Sequence, residues 1–266
     1  MVLPIYQIDA FTRDVFKGNY AAVVLLETFL PASSMQAIAT ENNLSETAFV
    51  APNANDGFDI RWFSPMTEIA FCGHATLASA FVLFKRFPER KTIDFHADAV
   101  GPFAVRRGPE SMIEMDFPQR DVEPVSEMPE EIARGLSIRP KEVLVSKQAF
   151  IAVYQSEEEV RAVVPDLALI AQLAPRDVVV TAPGNNHDFV SRYFWPASGG
   201  DEDPVTGSIH TVLTPLWARR LGKTKLLALQ ASRRSGELHC ELRADRVCIS
   251  GHAVQYLEGA IEVPDA

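Results

Sequence analysis

The sequence contains few cysteines and has no long apolar run. Its three cysteines, Cys72, Cys240 and Cys248, follow no regular spacing, which is unlike a disulfide framework and favours a reducing compartment. No apolar stretch approaches the ~20 residues that span a bilayer. The segment 1–9 lacks the charged and apolar regions of a signal peptide. We therefore expect a cytoplasmic protein.

Basic residues are also in the minority, and they form no run. The 266 residues include 35 acidic and 25 basic side chains, for a formal net charge of −10. Such a surface repels phosphate backbones and anionic membrane surfaces. The sequence thus predicts neither a nucleic acid nor a membrane as partner. A hydrophobic fraction of 47% provides enough core for one large domain or two ordinary ones.

An internal repeat is the most informative pattern in the chain. Residues 51–65 (APNANDGFDIRWFSP) and 182–196 (APGNNHDFVSRYFWP) are identical at seven of fifteen positions, at a constant offset of 131. The correspondence continues at an offset of 134, where Gly73 aligns with Gly207. Two copies half a chain apart indicate duplicated halves, because a solenoid needs at least three shorter repeats.

Each copy predicts a strand, a loop and a helix. Residues 58–63 alternate and are rich in aromatic and β-branched side chains, so they form a strand. The helix predicted over 73–87 is apolar on every side, which indicates that it is buried, and its counterpart is predicted over 207–221. Further strands are predicted at 5–11, 21–26, 47–52, 92–97, 101–107, 112–117, 142–154, 177–182, 225–231, 236–242 and 245–250, and helices at 32–42 and near 128–136.

These elements predict an α+β fold of two domains, each a curved, mostly antiparallel sheet wrapped around a central buried helix. We place the first domain at 1–118 and the second at 130–255. The Pro-rich, acidic stretch 119–129 is the predicted linker, and the tail from about 256 to 266 is a candidate to return to the first domain.

The starts of the two buried helices are candidate anion sites. The first amides of a helix have no intrahelical partner, and the helix dipole is positive there. Gly73 and Gly207 at these positions would let a ligand approach the backbone closely. Two such sites could together hold a carboxylate. The alternative is that each glycine makes a tight turn and that the neighbouring Thr or Ser is an ordinary cap.

No grouping of His, Cys, Asp or Glu has the sequence spacing of a zinc site. The chain also lacks a G-x-S-x-G motif, a P-loop and a dinucleotide-binding fingerprint. We therefore expect neither a metal ion nor an organic cofactor.

Four ordered segments resemble signatures of one enzyme family. They are IDAFTRDVFKGN (8–19), ENNLSETAFV (41–50), FSPMTEIAFCGHAT (63–76) and DEDPVTGSIH (201–210). Together they resemble the phenazine-biosynthesis (PhzF-like) isomerases, which share the diaminopimelate epimerase fold with an active site in the cleft between two pseudo-symmetric domains. The resemblance implies an isomerase, expected as a homodimer, that moves a proton on a small carboxylate-bearing substrate without a cofactor.

The resemblance also implies roles for individual residues. Glu46 is similar to the family's acid–base residue, and its strand neighbours Leu44 and Ala48 share its face. Such apolar surroundings suit a carboxyl group that exchanges protons. The other residues that carry over are His74 and Asp203 as catalytic groups, and Gly73, Gly207, Ser208 and Asn19 as substrate-binding groups.

Two other functions fit the sequence. One is a two-base amino-acid racemase or epimerase, which uses two thiols: Cys72 lies near the first thiol position, but the second motif, residues 202–207, contains no cysteine. The other is a catalytically silent protein that binds a small acid. Deuterium exchange into the ligand distinguishes an enzyme from such a binder.

Overall fold

The computed structural model describes residues 1–264, which form two compact units. The first unit is Met1–Asp116 together with the C-terminal segment from Ser250, and the second is Phe117–Ile249. The chain therefore rejoins the first unit at Ser250, earlier than the predicted return near residue 256. Among residues 1–264, no helix has both the length and the apolar character needed to cross a membrane.

The elements follow one another along the chain in three groups. The first group is β1 Val2–Ala10, β2 Asn19–Leu25, α1 Ala32–Asn42, β3 Glu46–Pro52, β4 Phe58–Phe63, β5 Glu68–Ile69, α2 Gly73–Arg86, β6 Thr92–Ala97, β7 Gly101–Arg107 and β8 Ile113–Pro118. The second is β9 Glu123–Pro124, α3 Glu130–Gly135, β10 Glu142–Val145, β11 Ala149–Val153, α4 Glu157–Ala162, α5 Leu167–Ile170, β12 Asp177–Pro183, β13 Phe189–Phe194, β14 Glu202–Asp203, α6 His210–Leu221, β15 Lys225–Gln230, β16 Gly236–Arg243 and β17 Arg246–Gly251. The last is β18 Ala253–Glu262.

The two units repeat one pattern of strand pairing. In the first, β3 lies parallel to β2 and antiparallel to β4, which is antiparallel to β5 and parallel to β6. In the second, β12 lies parallel to β11 and antiparallel to β13, which is antiparallel to β14 and parallel to β15. Strands β3 and β12, like β4 and β13, keep the sequence offset of 131 at both ends. The predicted α+β fold with duplicated halves is confirmed.

A buried helix lies at the centre of each unit. Helix α2 packs against β1, β2 and β3, and ten of its fourteen residues are buried. Helix α6 packs against β15 and β16, and nine of its twelve residues are buried. Both helices carry a pair of basic residues in the last turn, where they complement the negative end of the helix dipole.

The first unit is completed from both ends of the chain. Strand β1 is antiparallel to β2 on one side and to the C-terminal strand β18 on the other. The amino group of Met1 donates to the carbonyl oxygen of Val263 over 2.7 Å. The N-terminal strand is therefore interior to its sheet.

The predicted linker is wrong, because residues 119–129 belong to the second unit. The backbone N–H of Gln119 donates to Asp245 and that of Arg120 donates to Thr211, while β9 pairs with β10. The predicted strand 142–154 is two strands, β10 and β11. The hydroxyl of Ser146 accepts from the amides of two following residues and makes the turn between them.

The second buried helix begins at His210, three residues later than predicted. The imidazole Nδ1 of His210 lies 2.8 Å from the carbonyl oxygen of Thr206. The backbone N–H of His210 bonds instead to Gly207, in a tighter turn. Gly207 and Ser208 therefore lie in a turn that leads into the helix.

His210 also makes stability depend on pH. Since a carbonyl only accepts, Nδ1 carries the ring proton, and Nε2 is buried without a hydrogen-bond partner among residues 1–264. Burial lowers the pKa of His210 to about 4. Between pH 6.5 and 4 the unfolded chain binds more protons than the folded one, so stability falls as pH falls.

Because of His210, we expect the free energy of unfolding to fall by about 2 kcal/mol when the pH is lowered from 7 to 5. Urea unfolding at both pH values measures this loss. His210→Asn is the matched control, because its amide can donate to the same carbonyl but does not titrate. Equal pH dependence in the two proteins would contradict the assignment.

Candidate active site

Three polar side chains meet where β3 and α2 begin. Glu46 is the first residue of β3, Cys72 is the N-cap of α2, and His74 is the second residue of that helix. Asn19 begins β2, whose parallel pairing with β3 brings Asn19 to the same end of the sheet. All four side chains are buried.

The carboxylate of Glu46 faces the imidazole of His74. Its Oε2 atom lies 2.8 Å from Nε2 of His74. The contact is off the direction of an N–H bond, so Oε2 has no aligned hydrogen bond among residues 1–264. A buried carboxylate oxygen without an aligned donor is costly. It marks this position as one where a ligand or a proton is accommodated.

The other side of the imidazole is held by Cys72 and Asn19. The Cys72 Sγ lies 3.4 Å from Nδ1, and the Asn19 Nδ2 lies 3.3 Å from the same atom. The Ser45 hydroxyl donates to Oδ1 of Asn19 over 3.2 Å and orients the amide. Because Nδ2 only donates, Nδ1 accepts when the ring is neutral, and the single ring proton then lies on Nε2, beside Glu46.

The charges in this cluster are strongly coupled. Burial, followed by the charge of Glu46, raises the pKa of the Cys72 thiol, so the thiol is protonated near neutral pH. Burial alone would lower the pKa of the His74 imidazole, but the neighbouring Cys72 and Glu46 raise it by a larger amount. The resulting pKa is well above the usual value for histidine. Since Cys72 is neutral, the Glu46 carboxylate is the charge that favours a second proton on the ring.

Gly73 leaves space above the start of α2. A Cβ atom added at Gly73 would meet only the ring of Phe71, at 3.9 Å. Packing within the protein therefore does not require glycine here. The space beside Gly73 would let a ligand approach the backbone closely at the start of the helix.

In the second unit, Asp203 lies in a network of hydrogen bonds at the end of β14. Its Oδ2 accepts from the Thr206 hydroxyl over 2.5 Å, and its backbone carbonyl accepts from Gln230 Nε2 over 2.8 Å. The same Gln230 accepts from the backbone N–H of Thr206. These bonds fix the loop between Asp203 and the turn that leads into α6.

Ser208 is oriented by a second network. Gln148 Nε2 donates to Ser208 Oγ over 2.8 Å and to the Tyr193 hydroxyl over 2.9 Å. The Tyr193 hydroxyl donates to Asp177 over 2.6 Å. Because Ser208 Oγ accepts from Gln148, its own hydroxyl proton is available to a ligand.

The structure brings Glu46, His74 and Asn19 together in the first unit and places Asp203, Gly207 and Ser208 in the second. Cys72 was not among the predicted site residues, although it directly precedes Gly73. The sequence did not indicate that Gln148 and Gln230 belong to the site. Each of them is distant in sequence from the residue that it orients, so no local pattern connects the two. A groove of about 600 Å³ in the first unit contains none of the predicted site residues.

Comparison with known proteins identifies the family of this chain. A family model described as "Phenazine biosynthesis-like protein" matches residues 8–259. The chain belongs to the phenazine biosynthesis-like (PhzF) family. This confirms the resemblance seen in the four sequence segments.

Relatives of this PhzF-family chain are similar over their whole length. An uncharacterized isomerase of Pseudomonas aeruginosa is 44% identical over 263 residues, covering 99% of this chain and 100% of that protein. The crystal structure of a PhzF-family protein from Enterococcus faecalis is 42% identical with a TM-score of 0.94, covering 99% of this chain and 100% of that one. This PhzF-family protein is an isomerase.

A more distant structure is similar in fold alone. A hydroxyproline epimerase from Agrobacterium vitis has a TM-score of 0.61 at 10% identity, covering 98% of this chain and 91% of that one. The PhzF-family fold described above is therefore also epimerase-like.

Proposed function

We propose that this isomerase moves a proton on a small carboxylate-bearing substrate, with Glu46 as the general acid–base. The observation that carries the proposal is the buried Glu46 Oε2, which lies 2.8 Å from His74 Nε2 without an aligned hydrogen bond. Such an oxygen is ready to accept a proton from a substrate carbon. The carboxyl group exchanges this proton with solvent and delivers a proton to another carbon of the substrate, so the overall reaction needs neither an oxidant nor a cofactor.

His74 and the backbone of Gly73 assist this step. The His74 imidazole lies 2.8 Å from Glu46 Oε2 and positions the carboxylate. The start of α2 at Gly73 favours an anionic group of the substrate, because the helix dipole is positive there. From the second unit, Asp203 is proposed as a further catalytic group, and Gly207 and Ser208 as substrate-binding groups. The free proton of the Ser208 hydroxyl suits a carboxylate acceptor.

Deuterium exchange tests the proposal directly. The protein is incubated in heavy water with a panel of cyclic hydroxy- and amino-acids, and deuterium incorporation is followed by NMR. We expect at least one compound to acquire deuterium at carbon. A compound that binds, as shown by calorimetry, while none of the panel exchanges would favour a catalytically silent binding protein.

Cys72→Ala separates this mechanism from a two-thiol racemase. We expect the variant to retain exchange within a few-fold, because the Cys72 thiol is protonated near neutral pH and Asn19 still contacts the His74 ring. A two-thiol enzyme would lose activity by orders of magnitude on removal of one base. The exchange rate of the folded variant, compared with that of Cys240→Ala, decides between them.

We further propose a cytoplasmic homodimer without nucleic-acid or membrane partners, in keeping with the net charge of −10 and the low number of cysteines. Size-exclusion chromatography with light scattering measures the oligomeric state.

A further inference from the structure

The residues at the start of β3 and α2 also have the composition of a transition-metal site. One carboxylate oxygen of Glu46, the Sγ of Cys72 and a ring nitrogen of His74 all lie within 4.8 Å of one another. Thiolate, imidazole and carboxylate are the three side-chain ligands that zinc uses in proteins. The spacing along the chain hides the group, because Glu46 lies in a different element from the other two ligands.

We propose that Glu46, Cys72 and His74 bind Zn²⁺ and that the bound ion inhibits the isomerase. The binding claim depends only on the geometry of these three side chains. The claim of inhibition rests on the proposed function, since it assumes that Glu46 transfers the substrate proton.

The three ligand atoms are close enough to reach one ion after side-chain rotation. In a tetrahedral zinc site, neighbouring ligand atoms lie about 3.4–3.6 Å apart. Here His74 Nε2 is 2.8 Å from Glu46 Oε2, and Sγ of Cys72 is 3.9 Å from Nε2 and 3.4 Å from Nδ1. The side chains of Cys72 and His74 therefore rotate when all three ligand atoms surround one ion. The unaligned Glu46 Oε2 loses no hydrogen bond when it turns to a metal.

The surroundings of the cluster support the same ligand. Zinc-bound histidines usually donate their second ring N–H to an oxygen. Asn19 lies 3.3 Å from Nδ1 of His74, and if its amide turns over, Oδ1 can accept that proton. Glu46, Cys72 and His74 are only 9%, 6% and 7% exposed, so the three ligands are held in a buried cluster. Three protein ligands leave a fourth position for water or a substrate oxygen.

Charge and proton balance are also favourable. Binding releases to solvent the Cys72 thiol proton and the proton on the coordinating nitrogen of His74, and the ion with one thiolate, one carboxylate and a neutral imidazole is then neutral overall. A neutral buried group avoids the cost of an isolated charge. With Glu46 coordinated to zinc, its oxygen lone pair cannot accept a proton from substrate, so exchange stops until the metal is removed.

Cobalt spectroscopy tests the binding claim without reference to activity. The full-length protein is freed of metal by dialysis against a chelator and titrated with Co²⁺, which gives a near-ultraviolet charge-transfer band when bound to thiolate. We expect one equivalent of Co²⁺ to produce this band and Zn²⁺ to displace it. Cys240→Ala, which removes a buried thiol elsewhere, should keep the band, and Cys72→Ala should lose it.

Competition with a chromophoric chelator then measures Zn²⁺ affinity. Loss of a ligand should weaken binding at least as much as loss of an outer-shell partner, which is about 10–100-fold. We expect this for Cys72→Ala and, as a nearly isosteric change that serves if Cys72→Ala does not fold, for Glu46→Gln. Substoichiometric binding, a band that persists in Cys72→Ala, or unchanged affinity in Glu46→Gln overturns the site.

The activity measurement separates this inference from the proposed function. In wild type and Cys240→Ala, Zn²⁺ should stop deuterium exchange, and a chelator should restore it. Exchange that depends on Glu46 in a protein that binds no Zn²⁺ refutes the metal site alone. In the opposite outcome, the protein binds Zn²⁺ through Cys72, but the Glu46→Gln variant exchanges deuterium at the wild-type rate. That outcome refutes the proposed mechanism and the inhibition, while the zinc-binding site remains supported.

Discussion

Glu46→Gln is expected to lower turnover by about 10²–10⁴-fold, the loss typical of removing a general acid–base group. The glutamine amide has nearly the same shape as the carboxyl group, and its oxygen can occupy the same position beside His74. It cannot take up a proton at any accessible pH. The fold and the affinity for substrate should therefore be preserved while the rate of deuterium exchange falls.

Two further variants serve as comparisons for the loss of turnover in Glu46→Gln. His74→Ala and Asp203→Ala should each lose less turnover than Glu46→Gln, because each leaves the proton-transferring oxygen in place. Calorimetry on the same samples shows whether ligand affinity is retained. Wild-type exchange rates in a folded Glu46→Gln protein would refute Glu46 as the acid–base.

Gly18→Ala is expected to lower the free energy of unfolding by about 2–5 kcal/mol, the sum of a positive-φ penalty and an overpacking penalty. Gly18 has a φ of +64°, and a Cβ atom there would lie 2.1 Å from the carbonyl oxygen of Ala10. The backbone must move to relieve this contact. Asn19 follows directly, so its contact with His74 should shift as well, and exchange should slow together with the loss of stability.

Gly101→Ala is the matched control within the same unit. Gly101 has a φ of +82°, but a Cβ atom there would meet nothing within 4 Å. Only the conformational penalty of about 1–2 kcal/mol applies, and activity should be unaffected. Urea unfolding and exchange rates on both variants separate the two effects. An equal loss of stability in both would show that the close contact at Gly18 does not matter.

Local patterns in the sequence predicted the central elements of the fold well. Strand β4 lies at the predicted residues 58–63, and α2 ends one residue before the predicted end. Alternation and uniform apolarity are properties of neighbouring residues, so they can be read without knowing the rest of the structure. The sequence repeat indicated that the two halves share one topology, because similar sequences form the same strand pairings.

The features that were missed depend on individual side chains. The late start of α6 follows from the His210 imidazole, which takes the carbonyl oxygen of Thr206. The break between β10 and β11 follows from the capping hydroxyl of Ser146. Side-chain hydrogen bonds of this kind compete with regular backbone bonding, and no sequence period reveals them.

The candidate site was predicted only in part for a similar reason. Glu46 and His74 were identified through motifs, but their contact depends on how β3 and α2 are arranged in space. Cys72 joined them because it is the N-cap of the helix that carries His74. The contact between Gln148 and Ser208 spans sixty residues, and no local pattern predicts it.

The pairing of β1 with β18 affects the order in which the protein can be assembled during translation. Strand β18 spans residues 253–262, so residues up to about 262 must leave the ribosome before the first unit can close its sheet. All residues of the second unit emerge earlier. Domains generally fold as units as they leave the ribosome. The second unit is therefore able to complete its folding before the first, and until then β1 has no β18 partner on one of its edges.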